Sequence, residues 1–274
     1  MPLATLAIVL TAATVHAVWN LIVVRAQDRQ ATTAVVIAAS VVLFTPLALL
    51  SWRVDPQVWP FVAVSSVLEI AYYWLLTAAY DRAEMSLIYP IARGSAPVLV
   101  LIGSVLVVRA PSSLEQAGGV ILVAVGILMV RGLRGPARWK DVGMALSVAA
   151  LIAAYTLVDA QGVKHADPIT YLVLIILPPA IASLGLIYFR GGFARIRRSV
   201  NGLSLFGGLC NGLAYALVLV ALTTAPAPSV SAVRETSVVI ATALAALVLK
   251  ERVGPLRFVG SVVVAIGVAL VVLG

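Results

Sequence analysis

Long apolar runs separated by short polar connections dominate this chain. They fall at 3–24, 31–51, 58–80, 86–108, 114–131, 142–160, 168–188, 203–223, 227–249 and 256–273. A helix needs roughly 20 apolar residues to cross a hydrocarbon core about 30 Å thick, because each residue adds about 1.5 Å of rise. The pattern predicts an all-α polytopic membrane protein of ten transmembrane helices, with almost nothing left for a soluble domain. The first run has no basic segment ahead of it and no convincing cleavage site behind it, so it reads as a retained helix and not as a secretory signal.

The pattern also repeats. Arg93 and Arg234 each sit near the middle of an apolar run, 141 positions apart, and the same shift lays Arg109 on Lys250, Gly119 on Gly260 and Gly126 on Gly267. A shift of 142 lays Glu69 on Asn211 and Tyr73 on Tyr215. The most polar connection, Arg131 to Lys140, carries Gly and Pro and marks the midpoint. It divides the chain into a first repeat over 1–131, a basic linker over 132–141 and a second repeat over 142–274. With five spans per repeat, the second copy must enter the membrane upside down relative to the first. These two five-helix inverted repeats are the plan of many secondary transporters, which hold substrate near the midplane where the copies meet.

Composition agrees with lipid as the solvent: 62% of residues are apolar and 11% charged, and the mean hydropathy is +1.09. The net charge of +8 suggests nucleic acid until the basic residues are placed. Connections one, three, five, seven and nine hold Arg25, Arg29, Arg82, Arg131, Arg134, Arg138, Lys140, Arg190, Arg195, Arg197, Arg198, Lys250, Arg252 and Arg257, whereas the opposite side holds Arg53, Arg109 and Lys164. Under the positive-inside rule the crowded side is cytoplasmic, which makes both termini external in the plasma or inner membrane and removes the nucleic-acid reading. The single cysteine, Cys210, closes no intramolecular disulfide and makes no multi-thiol metal site. No Walker-type loop is present, and no cofactor or metal is expected.

Polar groups at membrane depth cost several kcal/mol and so face a partner or a water-filled cavity. His16 and Asn20 stand a helical turn apart with Trp19 beside them, and Glu69, Tyr72, Tyr73 and Tyr80 share roughly one face of the third span. The fourth span reads Tyr89-Pro-Ile-Ala-Arg93-Gly-Ser-Ala-Pro97, where two prolines and a glycine would loosen the helix around a charge. Tyr155 and Asp159 lie on the sixth span, Asn211 and Tyr215 on the eighth, and Arg234 and Glu235 on the ninth after Pro226 and Pro228.

These residues carry two readings each. Arg93 and Arg234 either line a substrate path or act as internal staples paired with Glu69 and Glu235. His16 is a helix–helix hydrogen bonder or a proton relay, and the tyrosines are cavity lining or core. Asp159, close to the end of its run, reads as interfacial. Gly118, Gly119, Gly126, Gly260 and Gly267 read as sites of close helix packing. Trp52, Trp59, Trp139 and Tyr188 read as interfacial belt residues.

Ten spans in two copies, proline-bearing fourth and ninth spans, the Lys250-Glu-Arg252 tag and a Gly-rich final helix resemble the EamA-type carriers of the drug/metabolite transporter superfamily, over essentially the whole chain. The resemblance implies a central cavity lined by spans one, three, four, six, eight and nine. Two features depart from the family: Arg109-Ala-Pro111 stands where a Glu-Arg pair is common, and the termini read as external where well-known amino-acid exporters keep theirs inside. His16-Ala-Val-Trp-Asn20 and Tyr89-Pro-Ile-Ala-Arg-Gly94 further resemble a subgroup associated with phosphonate utilisation.

The resulting expectation is a secondary transporter, not an enzyme, that moves a small polar or amphipathic metabolite by alternating access, the two halves rocking around the site. The favoured class is amino acid-like or another organic anion, since guanidinium groups offer bidentate donors to carboxylate or phosphonate. Phosphonates, nucleobases and cationic drugs are the alternative classes, and a non-transporting scaffold or sensor is the alternative function. The expected substrate-binding residues are His16, Trp19, Asn20, Glu69, Tyr72, Tyr73, Tyr89, Arg93, Tyr155, Asn211, Tyr215 and Arg234, with Glu69 or Glu235 as carrier of a coupling proton. The expected partners are the substrate, the bilayer and a coupling proton or ion, with the chain acting as monomer or homodimer.

Overall fold

The computed structural model describes residues 1–82, 85–131, 139–240 and 255–274. Ten helices lie among them: α1 (Leu3–Arg25), α2 (Arg29–Leu50), α3 (Trp59–Arg82), α4 (Met85–Leu106), α5 (Leu114–Arg131), α6 (Trp139–Gly162), α7 (Pro168–Ser199), α8 (Gly202–Leu222), α9 (Ala227–Arg234) and α10 (Pro255–Leu273). Most of the expected basic linker, the Lys250-Glu-Arg252 tag and the last part of the expected ninth span fall outside the described residues. Helices α1, α2, α3, α6, α7 and α8 contain stretches long and apolar enough to cross a membrane, and α4, α5 and α10 carry shorter apolar stretches. The protein is an all-helical, multi-pass membrane protein.

Local chemistry explains the helix starts. Asp28 accepts from Ala31 N at 3.0 Å to cap α2, and Asp167 accepts from Ile169 N at 2.9 Å to cap α7, with Pro168 in its first turn. Asn201 and Ser204 form a reciprocal capping box on α8. Pro46, Pro178 and Pro179 sit inside α2 and α7 without ending them. The seventh helix runs past its expected end at 188 as far as Ser199, through a kink at Gly192, whose φ of 70° suits glycine. Arg190, Arg195, Arg197 and Arg198, expected in a connection, are therefore helical.

The expected loosening of the fourth span is not where the helix breaks. Helix α4 is continuous through Pro90 and Pro97, and the break falls in the second half of the chain, where α9 stops after eight residues at Glu235 and helix resumes over 236–240. Pro at 226 and 228 fixes the start of that short helix. Its last turn tightens, Glu235 N donating to Ala232 O at 3.2 Å, so the acid lies at a helix terminus.

Helices of the first half pack mainly against those of the second. Helix α1 lies on α8 and α9, α3 and α4 lie on α6, α2 lies on α7 and α8, α3 lies also on α7, and α5 lies on α10. Moving every helix five places along the chain converts this set of contacts into itself. The α5–α10 crossing shows the sense of the relation. A Cβ on Gly119 would meet Gly267 O at 2.6 Å, and one on Gly126 would meet Gly260 O at 2.8 Å. The early glycine of one helix thus faces the late glycine of the other, so these two helices run antiparallel. Gly118 is different: nothing lies within 4 Å of its added Cβ, so it does not serve the close packing expected of it.

The core is built of small and branched side chains such as Ala149, Ile152, Leu172, Leu219 and Val233, while Val42, Leu47, Val67, Leu146 and Ile181 are exposed, as a lipid-facing girdle requires. The N-terminal ammonium donates to Val272 O at 2.9 Å, so both ends of the chain meet on one face. A backbone bridge, Asp55 N to His165 O at 2.8 Å and Asp167 N to Arg53 O at 2.9 Å, ties the α2–α3 connection to the α6–α7 connection.

Candidate functional site

A cavity of about 460 Å³ lies within the bundle, lined from α1, α3, α4, α6, α8 and α9, with Arg29, Gln30 and Thr33 of α2 and Ser183 of α7 also on its wall. Its volume falls inside the roughly 300–1,000 Å³ range of small-molecule sites. His16, Trp19, Asn20, Glu69, Tyr72, Tyr73, Arg93, Tyr155, Asn211, Tyr215 and Arg234 are all on its wall. The side chain of Tyr89 lies outside the described residues.

The two central arginines come together, although they belong to different halves of the chain, because α4 packs on α9. Glu235, completely buried, sits between them: Arg93 Nε is 3.2 Å from Oε2 and Arg234 Nε is 3.8 Å from Oε1. Burying a guanidinium is tolerable only with such a counter-ion. Among the described residues, one carboxylate faces two guanidiniums at this end of the cavity. Arg93 Nη2 also reaches His16 Nε2 at 3.0 Å, and Trp19 Nε1 donates to His16 Nδ1 at 3.1 Å. A neutral imidazole accepts at one nitrogen only, so the ring serves Arg93 or Trp19 but not both at once. The side-chain amide of Asn20 donates to His16 O at 3.0 Å, and that of Asn211 to Ser40 Oγ at 3.0 Å.

Glu69 does not staple an arginine through the contacts around it. It bonds Tyr215, whose hydroxyl is 2.6 Å from Glu69 Oε1 and 2.6 Å from Asp159 Oδ2. Asp159 is thus not interfacial: it is 1% exposed, and Ser65 Oγ and Tyr171 Oη donate to its Oδ1 at 2.6 and 3.1 Å. The sixth helix continues to Gly162 and then through a 3-10 turn to His165, which puts Asp159 deeper than a span ending at 160 would. Ser65, one turn before Glu69 on α3, was the available clue, since it places a second polar group on that face. Tyr72 stacks edge-on against Tyr73 and Tyr155, with ring centroids 5.0 and 5.9 Å apart, and completes an aromatic wall between the acidic and basic ends.

Outside the membrane-spanning segments, Asp28 receives Arg195 Nη2 at 3.0 Å. That hydrogen bond, opposed by partial burial and aided by Ala31 N, holds the Asp28 carboxyl below the usual carboxylate range. Among the described residues no group of His, Cys, Asp and Glu is placed to hold a metal ion.

Residues 139–273 match the family model described as the EamA-like transporter family. No match was found among curated proteins. A crystal structure of another protein overlays with a TM-score of 0.82 at 14% identity, covering 100% of this chain and 98% of that one. At that identity the likeness shows the fold alone.

Proposed function

Because the second half of the chain belongs to the EamA-like transporter family, we propose that the protein is a secondary transporter of a small organic anion, amino acid-like or phosphonate-bearing, working by alternating access. The observation that carries this reading is the buried cluster of Arg93, Arg234 and Glu235 at a central cavity, two guanidiniums to one carboxylate among the described residues. Anionic groups are the natural complement of two guanidiniums in a low-dielectric site. The aromatic wall of Tyr72, Tyr73 and Tyr155 suits an amphipathic body attached to that headgroup. Nucleobases and cationic drugs fit the positive end less well.

The antiparallel packing of α5 on α10 supports an inverted repeat, with ten spans and both termini on one side. The basic connections support external termini. The interleaved packing changes the expected motion. Two sequence halves cannot rock as rigid bodies when α1 rests on α8 and α3 on α6. The bodies we propose are α1–α8–α9 and α3–α4–α6, each drawn from both copies, with the cavity between them.

Thermal-shift screening of the detergent-purified protein against amino acids, phosphonates, nucleobases and cationic drugs tests the reading, since a ligand of the folded state raises its apparent stability. An anion that stabilises the protein, and no longer does so with Arg93→Ala or Arg234→Ala, is the expected result. Stabilisation that survives both substitutions would make the arginines internal staples. A scaffold would instead show no ligand, and a sensor would show a ligand with no uptake into proteoliposomes.

A further inference from the structure

A tyrosine hydroxyl has one hydrogen, and that of Tyr215 stands 2.6 Å from two carboxyl groups, Glu69 Oε1 and Asp159 Oδ2. It donates to one of them only. If both carboxyls were ionised, one would face the phenolic lone pairs at contact distance with no hydrogen between. The second carboxyl must therefore bring its own proton and donate it to the phenolic oxygen. The surroundings assign the two roles. Asp159 already accepts from Ser65 Oγ at 2.6 Å and Tyr171 Oη at 3.1 Å, so with Tyr215 it has three donors, the pattern of a stabilised carboxylate. Glu69 is the member of the pair that lines the cavity.

We infer that Glu69, Tyr215 and Asp159 form a carrier site for one exchangeable proton, held on Glu69 as a carboxylic acid while Asp159 keeps the negative charge. On release, the O–H bond of Glu69 breaks, the proton passes to cavity water, and the Tyr215 hydrogen is left to serve two carboxylates. The other titratable groups facing the site are Tyr73 of α3, Tyr155 of α6, Tyr171 of α7, Arg234 of α9, and, across the cavity, Arg93 of α4 and His16 of α1. The extra negative charge created by release is offset by the same two arginines that would hold an anionic substrate. Anion and proton therefore help each other bind, because an anion on the arginines removes the counter-charge that an ionised Glu69 needs. This coupling sense, in which proton and anion travel together, rests on the transporter reading; the proton site itself does not.

Infrared spectroscopy of the membrane-reconstituted protein separates the two. At neutral pH the carbonyl stretch of a protonated carboxyl should be present, should shift when water is exchanged for D2O, and should vanish in Glu69→Gln. In Tyr215→Phe the band should stay but change frequency, which keeps the test open if Glu69→Gln folds poorly. A spectrum without the band, a band that survives Glu69→Gln, one indifferent to D2O or one unmoved in Tyr215→Phe would overturn the site. For the coupling, glutamate and phosphonoacetate are titrated calorimetrically at several pH values. Either anion should bind roughly tenfold tighter per pH unit lowered through the titration of Glu69, and Glu69→Gln should make its affinity independent of pH. An anion that binds with no pH dependence in the unsubstituted protein overturns the coupling; failure of both anions to bind, with the band in place, counts against the substrate class and leaves the proton site standing.

Discussion

Replacing Glu235 by Gln keeps its volume and removes one charge from the most enclosed ionic cluster among the described residues. The carboxylate lies 3.2 Å from Arg93 Nε and 3.8 Å from Arg234 Nε, with none of its surface exposed. At an effective dielectric of about 20, each contact contributes roughly 4–5 kcal/mol of Coulomb attraction before desolvation is subtracted. Removing one partner of a buried ion pair costs about 3–5 kcal/mol net, because the remaining charge is left uncompensated. Here two like charges are left facing each other, which puts the expected loss toward the upper end. Equilibrium unfolding in mixed micelles should show it as a fall in the folding constant of between roughly a hundredfold and several thousandfold. Adding Arg93→Met to Glu235→Gln should recover part of this loss, giving a coupling energy of at least about 1.5 kcal/mol in the double-mutant cycle. A cost below about 1 kcal/mol for Glu235→Gln, or simple additivity in the cycle, would refute the argument that Glu235 is the counter-ion that keeps both arginines buried.

Three further outcomes can be checked independently. Gly119→Ala would place a methyl 2.6 Å from Gly267 O and 2.8 Å from Val271 N, and should cost about 1–3 kcal/mol as α5 and α10 are forced apart. Gly118→Ala, with open space around it, should be neutral or slightly stabilising in the same unfolding assay. The Asp28–Arg195 pair is partly exposed and worth at most about 1 kcal/mol; because its carboxyl is held below the usual range, the contribution is present above the unfolded value of about 3.9 and is lost as pH falls through the lower folded value. A spin label introduced by Arg198→Cys in a Cys210→Ser background should gain mobility over that acid limb, and Asp28→Asn should give the mobile spectrum at every pH.

Much of the fold can be read from the chain because lipid imposes a simple rule, that apolar runs of spanning length become helices. The starts of α2, α7 and α8 follow from Asp28, Asp167 and Asn201 as local caps. The cavity wall was legible for a related reason: polar residues such as His16, Glu69, Asn211 and Tyr215 have few reasons to sit at membrane depth. Which of them would touch was not legible. Glu69 finds Tyr215 and Arg93 finds Glu235 across the two halves of the chain, and pairings between elements far apart in sequence leave no periodic trace. The helix break was misplaced because proline marks where a backbone bond is missing, whereas neighbouring helices decide whether the chain bends there. Asp159 was misjudged because the turn beyond Gly162 is too polar for hydropathy to reveal. Gly118 and Gly119 are adjacent and identical in type, yet only one faces α10; a single glycine carries no record of which side of the helix is covered.

The interleaving of the two halves of the chain governs how it is made. Arg93 is synthesised 142 residues before Glu235, the carboxylate it contacts at 3.2 Å. At about 5–20 residues per second, the ribosome leaves that arginine without its counter-ion for on the order of ten seconds. Helix α1 waits similarly for α8, and α2 for α7. The half-made chain must therefore hold its first five helices in the bilayer as a loose set, with Arg93 drawn toward the headgroups on its flexible stem. The bundle can close only once the second copy has threaded between the helices of the first, so biogenesis of this protein is a post-insertion event, and its vulnerable interval is set by translation rate.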